Sequence, residues 1–410
     1  MKSKLSSLEK KWVLYDVGNS AFVLLAATLL PIYFDSLCSA QGLSSNAYLA
    51  SWSFATSIAT LITALLGPII GTMADYPGNK KRLFLATALI GSLLLLFFWV
   101  PSGSTAFLVM YVLCKISFSL SLVIYDSMLV DVSSPEDMDA VSSQGYAWGY
   151  IGSIIPFVVS LVFVLMPSIF GMSTSQAMIL CFIINALWWI ACSLPLARAF
   201  KQKYSTPKEN HIVQETFGRL WKTLKNMKQQ KKVFVFLLAF FFYIDGVYTI
   251  IDLATAYGKS LGLSTTGLLL ALLFTQFVAF PASLIFARLS KSVQAPVLIK
   301  SGIIAYFFIS VYAMFLNNIV QFWILAFAVG CFQGGIQAIS RSYFAKIIPE
   351  NSSGEYFGIF DICGKGASFL GTTLVGGLTA ATGSQALAIG SLSVMFVLGF
   401  LLLNKAEKLN

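Results

Sequence analysis

Twelve long apolar runs, separated by short polar breaks, fill almost the whole chain. They lie at roughly 12–36, 48–73, 83–101, 105–130, 145–167, 175–198, 233–257, 266–288, 296–316, 319–345, 357–381 and 385–404. A helix needs about 20 mostly apolar residues to cross the hydrocarbon core of a bilayer, and each run meets or approaches that length. Hydrophobic residues make up 57% of the chain and charged residues only 11%, where a soluble domain carries about a quarter charged. The pattern predicts an all-α polytopic membrane protein with twelve transmembrane helices.

Charge then sets the topology. An even number of crossings puts both termini on one side. Of the 27 Lys and Arg residues, all fall on that side except Lys259, on the opposite side, and Lys115, inside a run, when Lys300 and Lys365 are counted with their nearer side. Short basic loops resist translocation, so the basic side is expected to be cytoplasmic, with both termini inside. The same rule, with attraction to anionic membrane lipids, accounts for the net charge of +10. The cations are spread along membrane boundaries and give no nucleic-acid surface. The first run is too long for a signal peptide and contains Asp16 and Asn19, so it reads as a retained helix. The six cysteines show neither disulfide nor metal spacing. The single histidine, His211, falls in a loop, which excludes histidine catalysis or metal binding within the membrane. No metal and no cofactor are expected.

The longest polar break, residues 199–232, holds nine Lys and Arg against two acids and separates six runs from six. Three regions follow: an N-terminal six-helix bundle over 1–198, a cytoplasmic linker over 199–232, and a C-terminal bundle over 233–410. Within the linker Val213, Phe217, Leu220, Trp221, Leu224 and Met227 recur at helical spacing, while Arg219, Lys222, Lys225 and Lys228 fall mostly elsewhere on the wheel. This predicts an amphipathic helix on the membrane surface, with a solvated basic linker as the alternative. The halves also echo one another. Pro135-Glu136 after the fourth run is matched by Pro349-Glu350 after the tenth, each followed by a glycine, Gly145 and Gly358. Tyr15-Asp16 has a loose counterpart in Tyr243-Ile244-Asp245. Two six-helix halves related by an axis along the membrane normal are the architecture of major facilitator transporters.

The resemblance becomes specific at Gly71-Thr72-Met73-Ala74-Asp75-Tyr76-Pro77-Gly78-Asn79-Lys80-Lys81-Arg82, which resembles the loop 2–3 signature of that superfamily. The resemblance implies that Asp75 binds the start of the eleventh helix and locks the cytoplasmic gate. Gly71, Asp75, Gly78, Lys80, Lys81 and Arg82 are therefore gating candidates. In the second half Ser290 stands where the aspartate would be, so a symmetric gate is not expected. Trp12 to Phe22, Tyr243 to Val247, Gln333 to Ser342 and Phe357 to Gly371 resemble, in order, the first, seventh, tenth and eleventh helices of the vacuolar amino-acid effluxer-like (autophagy-related effluxer) family, as a bacterial-type member. The fourth-helix exit departs from the family pattern at Asp126 and Val130.

Charges inside a bilayer are costly and usually face the bundle interior. Here they are Asp16, Lys115, Asp126, Asp245, Asp252, Asp361, Lys365 and Arg341, concentrated in runs 1, 4, 7, 10 and 11. Lys115, Asp245 and Lys365 lie nearest the midplane, where transporter sites sit. A pairing of Asp245 with Lys115 or Lys365 would hold the two ends of a zwitterion, with Asn19, Gln333 and Gln337 adding hydrogen bonds. Asp361 and Lys365 are also spaced for an i, i+4 ion pair, so a purely structural role stays open. Arg341 reads as a gate or headgroup contact. Asp126 reads as either solvated or functional.

No phosphate-binding loop and no nucleophile–base set is present, so the chain is not expected to be an enzyme or an ATP-driven pump. The reading is a secondary active transporter of a small polar solute, with amino acids suggested by the resemblance, working by alternating access as a monomer in the cell (inner) membrane. Asp16, Asp245 and Asp361 are candidates for proton coupling. A uniporter of an unrelated solute, or a non-transporting receptor or scaffold, is the alternative.

Overall fold

The computed structural model describes residues 5–43, 45–101, 103–207, 212–226 and 229–409, with backbone alone at 45–47, 49, 212–215, 224, 226, 265, 269 and 365–369. It is all-helical among these residues. The first six spanning helices are α1 (Ser7–Ala40), α2 (Ser45–Ala74), α3 (Asn79–Leu96), α4 (Ser104–Ser127) with a one-turn extension α5 (Leu129–Val132), α6 (Met138–Leu165) and α7 (Thr174–Ala199). The linker contains α8 (Ile212–Asn226). The second six are α9 (Lys231–Ser260), α10 (Thr265–Leu289), α11 (Ala295–Ala313), α12 (Ile319–Ile347), α13 (Ser353–Thr382), and a last crossing built from α14 (Gln385–Gly390) and α15 (Leu392–Glu407). Every apolar run is a helix. Ten of the described helices are long and apolar enough to cross a membrane by length and composition alone; α3, one of the other two crossings, carries Lys80, Lys81 and Arg82 in its first turn.

Local chemistry explains the boundaries. Ser6 and Glu9 form a reciprocal capping box that starts α1, and Ser173 with Gln176 does the same for α7, each satisfying amides that a helix start leaves without partners. Gly78, at φ +75°, makes the turn into α3, a conformation that costs other residues free energy. The fifth run begins earlier than its apolar stretch, at Met138. Asp139, Ser142 and Ser143 are buried there against other helices rather than exposed in a loop. Likewise α1 begins at Ser7, ahead of its apolar run, which puts Asp16 about 14 Å along the helix.

The two halves repeat one packing plan. In the first, α1 packs on α6 and α7, α2 and α3 pack on α4, and α3 packs on α7; in the second, α9 packs on α13 and α15, α10 and α11 pack on α12, and α11 packs on α15. A matched pair of bonds marks the repeat. Tyr15 of α1 meets Ser121 of α4 through their hydroxyls at 2.6 Å. Tyr243 of α9 meets Ser340 of α12 at 2.6 Å. Large apolar side chains such as Leu61, Leu65, Phe308 and Leu401 are exposed around the outside, as acyl chains require. The halves meet along two seams, α2 with α13 and α6 with α10, and α12 also packs on α6. Glu9, the linker and Glu407 all lie at one end of the bundle, where Glu9 bonds Ser133 and Glu407 bonds Lys300 at the start of α11.

Candidate functional site

The halves are locked at the end that carries the termini, in two polar layers. The outer layer is built on Asp75, just past α2. Its two carboxylate oxygens accept the backbone N–H groups of Gly354 and Glu355, at 2.8 and 3.0 Å. These are orphan donors of the first turn of α13, so a carboxylate of one half caps a helix of the other. The approach depends on glycine: a Cβ at Gly71 would collide with the Gly354 carbonyl oxygen, and one at Gly358 would press on Pro68. Burial pushes the Asp75 carboxyl up to about 7, against the opposing pull of Lys80, the two amides and Arg219.

The basic cluster of the loop divides. Lys80 is fully buried; its ammonium donates to Asp131 Oδ2 at 2.7 Å and to Ser353 Oγ, across the seam, at 2.9 Å. Lys81 reaches the Arg198 carbonyl of its own half, at 3.4 Å, and Arg82 is exposed. The amide of Gly78 donates to Gln202. The linker adds a cation that its sequence hides. Arg219 of α8 lies 3.2 Å from Glu355 and 3.6 Å from Asp75, and donates to Thr206 at 2.6 Å and Ser352 at 3.0 Å. By wheel position it belongs with the solvated cations. It turns inward because Thr216, Leu220 and Arg219 share the face of α8 that packs on the protein.

The inner layer is built on Arg341 of α12, two turns inside the helix end. Its guanidinium donates to Asp126 of α4 at 2.9 Å, to Asp16 of α1 at 3.3 Å, and to the hydroxyl and carbonyl of Ser142 of α6 at 2.9 and 3.1 Å. Trp12, Tyr146 and Tyr125 surround it at 4.7, 4.5 and 5.6 Å from the ring centroids. Desolvated cation–π contacts of this kind contribute up to about 2 kcal/mol. One arginine of the second half is thus enclosed by groups from three helices of the first half, α1, α4 and α6. Ser142 also donates to the Ala338 carbonyl at 2.7 Å, and Lys346 pairs with Asp139 at 2.6 Å. Asp126 is therefore ion-paired rather than merely solvated, and Asp361 is electrostatically coupled to it.

The remaining candidates are distributed. Asn19 donates to Asp16 at 3.3 Å and steadies it. Asp245 is fully buried between α9 and α13; its Oδ1 accepts from the Gly371 amide at 2.9 Å and from Thr249 at 3.2 Å, while Oδ2 has no hydrogen-bond partner among the described residues. Lys115 lies 6.0 Å from the Tyr111 ring and acts electrostatically on Asp252 of α9, whose side chain is exposed. Gln333 is buried and Gln337 partly exposed. The side chain of Lys365 lies outside the described residues. Sequence reasoning missed Arg219, Asp131, Ser142 and Asp139 as cross-linking groups. For Asp131, Asp139 and Ser142 the one signal is a polar residue near a helix end; Arg219, in the middle of α8, has none.

Comparison with known proteins agrees with this architecture. The family model described as "Vacuole effluxer Atg22 like" matches residues 7–136 and 130–407. The MFS-type transporter YxiO of Bacillus subtilis is 40% identical over 98% of this chain and 95% of its own length. Autophagy-related protein 22 of Yarrowia lipolytica is 26% identical over 58% of this chain, which spans 45% of that protein. Among solved structures, a bacterial homologue of the iron transporter ferroportin in an outward-facing state superposes with a TM-score of 0.73 at 14% identity, covering 98% of this chain and 99% of that one. The proton:xylose symporter XylE superposes at 0.72 with 12% identity, covering 97% and 95%. The twelve-helix fold is that of the major facilitator superfamily, its relatives are transporters and not enzymes, and the chain belongs to the Atg22-like vacuole-effluxer family as a bacterial-type secondary transporter.

Proposed function

We propose that this transporter moves a zwitterionic solute of amino-acid size across the cell membrane, with protons as the coupling ion. The observation that carries the reading is the inner layer, in which Arg341 of one half is clamped by Asp16 and Asp126 of the other. Opening this end must withdraw Arg341 from both carboxylates. Uncompensated buried charges cost several kcal/mol each, and a proton on Asp126 or Asp16 removes that cost. The groups facing the cluster are Asp16 from α1, Tyr125 and Asp126 from α4, Tyr146 from α6, Arg341 from α12 and Asp361 from α13. Asp16 and Asp126 both pair with the one guanidinium of Arg341, two carboxylates to one cation in the contact itself, which suits a proton or a cationic ligand group when the contact opens. Lys115 and Asp252, one from each half and coupled electrostatically, supply a cation and an anion and replace the Asp245 pairing as the stronger candidates for the two ends of the solute. Asp245, sealed between helices, fits a structural or proton-holding role.

We assign the basic end to the cytoplasm by the positive-inside rule, and the chain to the cell membrane by its likeness to a bacterial transporter. This makes the present state closed to the cytoplasm. Proteoliposome flux, with amino acids, peptides, sugars and nucleosides in parallel and an imposed pH gradient, tests the reading. Uptake of amino acids that follows the pH gradient is expected, lost in Asp126→Asn while counter-exchange persists. Flux of another solute class, or flux indifferent to the gradient, would overturn the corresponding part. Cysteine labelling at Ser205 and Ser104 tests the orientation; labelling of 205 from outside intact cells would refute it.

A further inference from the structure

The linker helix is part of the gate and also carries an uncovered amphipathic face. Thr216, Arg219 and Leu220 form the face that packs on the transporter. On the opposite side Phe217 and Trp221, one turn apart, are 53% and 71% exposed, with Lys222 and Lys225 beside them, also exposed. The helix packs on α2, and Arg219 lies 6.0 Å from the ring of Tyr76, where the chain has just left the membrane. An exposed tryptophan at that level, flanked by lysines, has the composition of a helix seated at the bilayer interface.

We infer that the Phe217, Trp221, Lys222 and Lys225 face of α8 docks on an anionic phospholipid surface, and that docking holds the gate shut by keeping Arg219 between Asp75 and Glu355. Charge complementarity selects this occupant. The linker carries nine basic residues against two acids, and two lysines at an anionic surface favour docking by about thirtyfold together. The coupling is mechanical. Asp75 belongs to the first half and Glu355 to the second, and Arg219 bridges them, so parting the halves must pull Arg219 off at least one carboxylate. A lipid that binds α8 only in its latched position therefore shifts the gate by its differential affinity and no more. This inference is independent of the identity of the solute.

The test uses the full chain in nanodiscs of phosphatidylcholine, alone or mixed with phosphatidylglycerol. A fluorophore at Trp221→Cys reports immersion through brominated-lipid quenching, and paired spin labels on α2 and α13 report the gate. Anionic lipid is expected to increase quenching and to raise the closed-to-open ratio severalfold. Lys222→Glu with Lys225→Glu should abolish both responses. Arg219→Gln should keep the quenching and lose the gate response, which also shows that the variant folds. A label that stays in water in both lipids overturns the inference and leaves this face to a soluble protein. Immersion without any change of the gate overturns the coupling. An equal response to inorganic phosphate in neutral nanodiscs would make it a free-anion site instead.

Discussion

The two seams occupy equivalent places in the repeat, yet they are built differently. Along α2 and α13 the backbones touch through Gly71 and Gly354, and Asp75 caps the opposing helix. Along α6 and α10 the equivalent end carries Ser290, whose hydroxyl turns back to the Ala287 carbonyl of its own helix. A cleft of about 560 Å³ lies beside it, lined among others by Glu136, Asp139, Ser290 and Lys291. Side chains hold that seam, with Trp148 against Phe280 at 5.3 Å, and beside it Lys346 of α12 pairs with Asp139 of α6. Backbone contact is short-ranged and tolerates no slack, whereas long side chains can stretch and exchange partners with water. The α2–α13 seam is thus the more closely fitted of the two; we propose it as the lock and the α6–α10 seam as the side on which the halves rock.

The comparison can be broken most severely from inside. Arg341→Gln leaves Asp16 and Asp126 buried without their cation, and removing one partner of a buried pair costs about 3–5 kcal/mol. We predict near-complete loss of the closed state by spin-label distances, with partial recovery when Asp126→Asn is added. No recovery would argue against a charge-based lock. Gly71→Ala should come next. Its methyl group meets the Gly354 carbonyl, and overpacking of this kind costs about 1–3 kcal/mol; the closed fraction should fall tenfold or more, with solute affinity little changed. Closure unaffected by the methyl group would show that α2 and α13 do not meet this way in solution.

Asp75→Ala removes a cap shared between the halves, worth about 1 kcal/mol. The same residue gives a pH signature. Its carboxyl is pushed up to about 7 in the closed state, above the ordinary range expected once exposed, so the closed state binds its proton more tightly. Acid therefore favours closure through this group, and that contribution is lost as pH rises from about 4 to 7. Subtracting the pH profile of Asp75→Asn from that of the parent should leave this slope; a difference flat in pH would contradict it. The smallest effect is expected at the other seam. Ser290→Asp should change the closed fraction by less than about 0.5 kcal/mol, because the substitution sits at a surface position beside a wet cleft. A large gain in closure would restore symmetry to the gate.

Most of the architecture was legible because lipid imposes a simple rule: apolar length reports each crossing. The loop 2–3 motif pointed to Asp75, which caps α13, and Ser290, bonded within its own helix, makes no such contact. The ion network was legible only as a set of charges. Arg341 and Asp126 are far apart in sequence, and which carboxylate meets which cation depends on tilt and rotation that hydropathy does not record. Asp245 shows the same limit. Its depth suggested the cavity, but its rotation on α9 turns it toward the backbone of α13. Arg219 was hidden for the opposite reason, since a basic residue on a basic linker carries no distinguishing signal.

The linker is stitched to the first half well before α8 begins. The Lys203 and Tyr204 amides donate to Asp131, Gln202 bonds the Ala74 carbonyl, and the Thr206 amide bonds the Asp75 carbonyl at 2.9 Å. Arg219 follows only 13 residues after that last stitch. So short a tether confines the guanidinium near its sockets even after they part, at an effective concentration in the millimolar range. Relatching is then an intramolecular event, fast and insensitive to protein concentration. The connection between the halves acts as a captive bolt, and lengthening it after Thr206 with flexible residues would slow closure without altering any contact in the closed gate.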